Sequence, residues 1–114
     1  MAIVYILKND RPMENNYFKM DKVKKFVCLS ASWCMPCKAY HKTIEEIEKM
    51  EEFKDIEFLS YDVEDDEKGA DMALTYMVRG VPTTLLLNEN DQVIDRFSGN
   101  IPQATVIEKL KSHM

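Results

Sequence analysis

Two cysteines three positions apart stand where one kind of backbone structure gives way to another. Cys34 and Cys37 lie in Trp33-Cys34-Met35-Pro36-Cys37-Lys38, directly after the apolar run Lys25-Phe26-Val27-Cys28-Leu29-Ser30-Ala31. That run reads as a buried strand, and the residues after the motif read as a helix. A helix N-terminus offers unpaired N–H groups and a partial positive charge, which favour a thiolate over a thiol. With two residues between the cysteines, one helical turn brings the sulfurs within bonding range. Such a pair at such a junction cycles between dithiol and disulfide more often than it serves as a permanent staple.

Composition narrows the setting. A chain of 114 residues, 46% hydrophobic and 31% charged, is expected to form one compact domain spanning 1–114. A net charge of −5 argues against nucleic acid as a partner, because phosphate binding needs a basic face. The short basic cluster Lys22, Lys24 and Lys25 reads as a solvated strand entrance. The run Ala2-Ile3-Val4-Tyr5-Ile6-Leu7 is too short for the apolar region of a signal peptide and has neither a charged start nor a small-residue cleavage site. No stretch reaches the roughly 20 apolar residues of a membrane span. A cytoplasmic, reducing home and no membrane partner are the expectation, and there a CxxC pair reads as catalytic or metal-binding.

Hydrophobic periodicity orders the chain. Residues 2–7 read as a strand, and Arg11 to Met20 as a short helix with Asp10 as N-cap and Pro12 in its first turn. Residues 24–31 read as a strand buried on both faces of a sheet. From Met35 to about Glu52, Tyr40, Ile44, Ile47 and Met50 recur at helical spacing. A strand over 55–63 precedes the acidic run Glu64-Asp65-Asp66-Glu67, which suits the first turn of a helix reaching about Met77. Thr83 to Leu87 and Gln92 to Phe97, separated by Asn88-Glu89-Asn90-Asp91, read as an antiparallel hairpin. A last helix starts near Pro102, with Val106, Ile107 and Leu110 facing inward. The order β-α-β-α-β-α-β-β-α is an α/β arrangement with helices covering a mixed sheet.

This order and three local signatures resemble the thioredoxin family along nearly the whole chain. The signatures are Trp33-Cys34-Met35-Pro36-Cys37-Lys38, close to WCGPCK; Tyr76-Met77-Val78-Arg79-Gly80-Val81-Pro82-Thr83, close to Y-x-I-R-G-I-P-T; and Phe97-Ser98-Gly99 ahead of the closing helix. The resemblance implies a thioredoxin fold, a central mixed sheet of about five strands flanked by about four helices. It implies that Cys34 is the exposed nucleophile and Cys37 the buried resolving thiol. Pro82 would be a cis-proline against the pair, presenting the Val81 backbone for strand-like pairing with an extended substrate. Trp33, Met35 and Pro36 would contribute substrate-binding surface, and Gly99 would admit a partner chain without steric conflict. The implied activity is protein-disulfide reduction by thiol–disulfide exchange. It needs no cofactor beyond the Cys34–Cys37 disulfide and no metal. The implied partners are disulfide-containing proteins and a thioredoxin-reductase-like electron donor, with the chain acting as a monomer.

The chain also departs from the family's pattern. Cys28 stands where typical thioredoxins bury an aspartate that handles the resolving cysteine's proton, and Ser60 where its lysine partner would be. Cys28 reads as a small buried hydrophobe, the alternative being a third redox-active sulfur. Without a buried base, the resolving step is expected to be slower or to use water. Met35 replaces a glycine and Lys42 a helix-kinking proline, so the helix is expected to run straighter. His41 reads as a solvent-facing helix residue, the alternative being a zinc ligand with Cys28, Cys34 and Cys37. A glutaredoxin reading lacks the glycine pair and acidic residue after the proline segment. The carboxylates Asp62, Glu64, Asp65 and Asp66 lack the spacing and glycine of a calcium loop. The runner-up function is a redox-independent binding module that uses the Trp33–Pro82 surface.

Overall fold

Residues 22–114 are described by a computed structural model of the chain. The strand expected at 2–7 and the helix expected at 11–20 lie outside the described residues. Within them, four strands and three helices follow in the order β1 (Lys25–Ser30), α1 (Met35–Glu48), β2 (Glu57–Asp62), α2 (Glu67–Thr75), β3 (Thr83–Leu87), β4 (Val93–Ser98) and α3 (Gln103–Ser112). The sheet order is β2-β1-β3-β4. β1 runs parallel to β2 and antiparallel to β3, and β3 pairs antiparallel with β4, so the sheet is mixed.

β1 is nearly continuous in apolar residues because both its faces are covered. Phe26 and Cys28 point to one side, where Tyr40, Ile44 and Ile47 of α1 and Val106 and Leu110 of α3 pack on them. Val27 and Leu29 point to the other, joining Leu85 and Leu87 of β3 against Met72, Tyr76 and Val78 from α2 and the segment after it. The alternation of side chains along a strand serves two layers at once. Phe26, Val27, Leu29, Leu85 and Leu86 are all fully buried.

Two boundaries differ from those expected. α1 ends at Glu48, and a 3-10 turn at Glu51–Phe53 drops Phe53 into the core, so the helical spacing of Met50 belongs to a connection rather than to the helix. The acidic run begins as a turn, and only its end enters the helix, with Asp66 as N-cap and Glu67 in the first turn of α2. One Asp62 carboxylate oxygen accepts N–H groups from Glu64 at 2.7 Å and Asp65 at 2.8 Å, while the Asp62 N–H donates to Asp66 at 2.9 Å. These local bonds compete with helix formation, and α2 starts only at Glu67. The N–H groups of Asp65 and then Glu64 hold the Asp62 carboxyl below its usual range. The hairpin turn closes on buried Asn88, whose side-chain oxygen accepts from the N–H groups of Asn90 at 2.9 Å and Gln92 at 3.0 Å.

Candidate active site

α1 begins at the two cysteines. Cys34 is the N-cap, with extended backbone at φ −90° and ψ 107°, and Met35 and Pro36 open the helix. Pro36 suits the first turn, where an N–H would have no helical partner. The Cys37 N–H donates to Cys34 Sγ at 3.2 Å, so sulfur takes the place of the oxygen of an ordinary N-cap. Cys34 and Cys37 are joined by a disulfide, their Cα atoms 5.3 Å apart.

Burial corrects one expectation: Cys34 is not exposed. It is 4% accessible against 1% for Cys37, and both pack with Ala31 against Val63 and Val81. The bridge draws Cys34 Sγ under the loop that carries Val81, whose carbonyl oxygen lies 3.8 Å away. A disulfide sulfur has no proton to donate, so this is a close approach and not a hydrogen bond. Trp33 and Met35, at 64% and 69% exposure, are the groups that face solvent on either side of Cys34.

The second signature folds back onto the first. The Val81–Pro82 peptide is cis. The Thr83 hydroxyl donates to the Gly80 carbonyl at 2.6 Å, and the Gly99 N–H donates to the Pro82 carbonyl at 2.8 Å. The third signature therefore anchors the second, 17 positions apart by number (99 less 82). Gly99 has φ +93°, a conformation that favours glycine, and the space where a side chain would project is open. Trp33, Cys34, Met35, Pro36, Cys37, Val81, Pro82 and Gly99 thus converge through α1's first turn, the 76–82 loop and the end of β4.

Two contacts near the site, those of Glu64 and Arg96, were not anticipated from the sequence. Glu64 accepts the Trp33 indole N–H at 3.0 Å and so fixes that ring. Arg96 of β4 donates to the carbonyls of Tyr76 at 2.6 Å and Met77 at 3.4 Å. It holds the loop where Met77 has φ +56°. His41, expected to face solvent, keeps part of its surface exposed, with Nε2 3.3 Å from Ser60 Oγ. No local pattern marks these partners.

Cys28 is buried at 1% exposure and stays free, and burial pushes its thiol up to about 12. It pairs in register with Ser60, an adjacency that the family's charge pair suggests only indirectly. Among the described residues no group of three or more His, Cys, Asp or Glu converges as a metal-ligand set. Among the same residues no helix is long and apolar enough to cross a membrane.

The family model for thioredoxin matches residues 11–112. The chain belongs to the thioredoxin family. It is 33% identical to a thioredoxin of Ictalurus punctatus over 87 residues, covering 76% of this chain and 77% of that one. It is 27% identical over 84 residues to Thioredoxin 1 of Nostoc sp., covering 74% of each. Among solved structures, the thioredoxin of Fasciola hepatica superposes with a TM-score of 0.68 at 26% identity, covering 89% of this chain and 91% of that one. The fold is the thioredoxin fold, and family membership with the Cys34–Cys37 bridge supports thiol–disulfide oxidoreductase chemistry.

Proposed function

We propose that this chain reduces disulfides of protein substrates, with Cys34 as nucleophile and Cys37 as resolving thiol. The observation that carries the reading is the Cys37 N–H aimed at Cys34 Sγ at the mouth of α1. In the reduced state that donor and the helix dipole stabilise negative charge on Cys34. The Cys34 thiolate attacks a substrate sulfur, forming a mixed disulfide and expelling the other substrate sulfur as a thiolate. Cys37 then attacks Cys34, restoring the bridge and releasing the second substrate thiol. Because Cys34 is covered in the disulfide state, substrate reaches it once reduction breaks the bridge and frees its side chain to turn outward.

Trp33, Met35, Pro36, Val81, Pro82 and Gly99 form the substrate-contact surface in this reading. It is supported by the exposure of Trp33 and Met35 and by the open space at Gly99. A thioredoxin-reductase-like donor returns the bridge to the dithiol, and no other cofactor is required. The chain works as a monomer of one domain in the cytoplasm, a setting with which its free third cysteine, Cys28, is consistent.

A redox titration of the Cys34/Cys37 couple against glutathione, with peptide mapping, tests the proposal. A single two-electron couple confined to Cys34 and Cys37 is expected, with insulin reduction abolished in both Cys34→Ser and Cys37→Ser. Recovery of full biological function with both cysteines replaced would overturn it in favour of a redox-independent docking role for the Trp33–Pro82 surface.

A further inference from the structure

Closing the Cys34–Cys37 bridge requires that Cys37 first lose its proton, and Cys37 is 1% exposed. The residues at the positions of the family's charge pair do not serve. Cys28 is itself held as a neutral thiol by burial, and a serine hydroxyl such as that of Ser60 does not bind a proton near neutrality. A different group occupies the same region. His41 lies one turn beyond Cys37 on α1, which places their Cβ atoms about 5–6 Å apart on one face of a regular helix. Its Nε2 lies 3.3 Å from Ser60 Oγ. Cys37, His41 and Ser60 together line a cleft of about 410 Å³ between α1 and β2. Several waters fit there, at roughly 30 Å³ each.

We infer that His41 accepts the proton of Cys37 in the resolving step, through Ser60 and water in the cleft that the three residues share. The inference rests on the exchange reaction proposed above. The Cys37 Sγ–H proton passes to water, water gives a proton to Ser60 Oγ, and Ser60 gives its own to His41 Nε2. The Cys37 thiolate then attacks Cys34 Sγ, the bond from Cys34 to the substrate sulfur breaks, and its electron pair leaves on that sulfur. Cys34 and Cys37 end oxidised as the bridge, the substrate sulfur ends reduced, and the imidazolium returns its proton to the departing thiolate or to solvent.

The charges around this relay are of both signs. Glu45 and Glu48 of α1 and Cys28 of β1 line the adjoining cleft on one side of His41. Lys38 of α1, Tyr61 and Asp62 of β2, and Asp66 ahead of α2 line the shared one. The transient imidazolium therefore has carboxylates on both sides and one ammonium opposing them.

Rapid mixing of the fully reduced chain with dithiobis-nitrobenzoate separates the steps. One equivalent of thionitrobenzoate is released when Cys34 attacks and a second when Cys37 resolves, while Cys37→Ser supplies the one-equivalent reference trace. His41→Gln is expected to leave the first release unchanged and to slow the second on the order of 10²-fold at neutral pH. Added imidazole restores the rate in His41→Ala, and the rates converge in alkali, where Cys37 ionises unaided. A second phase in His41→Gln with unaltered rate overturns the inference. So does a deficit that persists in alkali and resists imidazole, because that marks a structural effect. If the unaltered chain releases only one equivalent, the exchange reading itself fails.

Discussion

The Tyr40 hydroxyl lies 2.6 Å from that of Thr84, joining α1 to β3 through the buried core. Tyr40 and Thr84 are 0% and 1% exposed, so water cannot replace either partner. The bond braces the helix that begins with the cysteines against the strand that continues from Pro82. Tyr40→Phe keeps the ring and orphans the Thr84 hydroxyl, at an expected cost of about 1–2 kcal/mol of unfolding free energy. Urea unfolding checks it, and the double change Tyr40→Phe with Thr84→Val is expected to recover part of the loss.

Stability is expected to fall in alkali. Burial pushes Cys28 up to about 12 from an ordinary 9.0. Burial also lifts Tyr40 to about 12 from 10.0, outweighing the lowering from its bond to Thr84. The unfolded chain therefore sheds these protons from about pH 9 upward, while the folded chain keeps them until about 12. The stabilisation is complete below the unfolded values and declines as pH rises towards the folded ones, by at most about 1.4 kcal/mol per pH unit for each group. A urea series across that window is the measurement, and Cys28→Ala is expected to move the onset upward towards the ordinary tyrosine value.

Gly69 sits in the first turn of α2, where a Cβ would collide with the Asp62 carbonyl and approach Tyr61 Cβ to 3.1 Å. Helix propensity alone favours alanine over glycine by about 1 kcal/mol. The collision involves backbone, which cannot swing aside, so packing decides the sign. Gly69→Ala is expected to destabilise by about 1–3 kcal/mol, read as a fall in Tm of roughly 4 °C or more.

Met77 is 70% exposed and has φ +56°, so its side chain gains little burial to offset a left-handed backbone. Met77→Gly is expected to raise unfolding free energy by about 0.5–1 kcal/mol, while Met77→Ala retains the strain. Comparing the two by thermal melting isolates the backbone contribution from the loss of the side chain.

Expectations from the sequence succeed where the forces are local. The continuous apolar run of Lys25–Ser30, the 3.6-residue recurrence of Tyr40, Ile44 and Ile47, and the turn at Asn88 are each written in residues close together in the chain. Glu64 and Asp65 depart from expectation because dipole preference alone omits the side-chain-to-backbone bonds that fold them into a turn. Cys34 departs from it because its cover comes from Val81, 47 residues later.

By itself, the sequence determined that a cysteine pair would cap a helix following a buried strand, since one turn of helix and its free N–H groups are properties of adjacent residues. Only the tertiary structure decided what meets that pair. The sheet order β2-β1-β3-β4 brings Ser60 beside Cys28 and under His41, and it brings Gly99 to Pro82 and Arg96 to Tyr76. Those contacts join residues that are remote in the chain, so they exist only once burial of both faces of β1 has fixed which strands lie side by side.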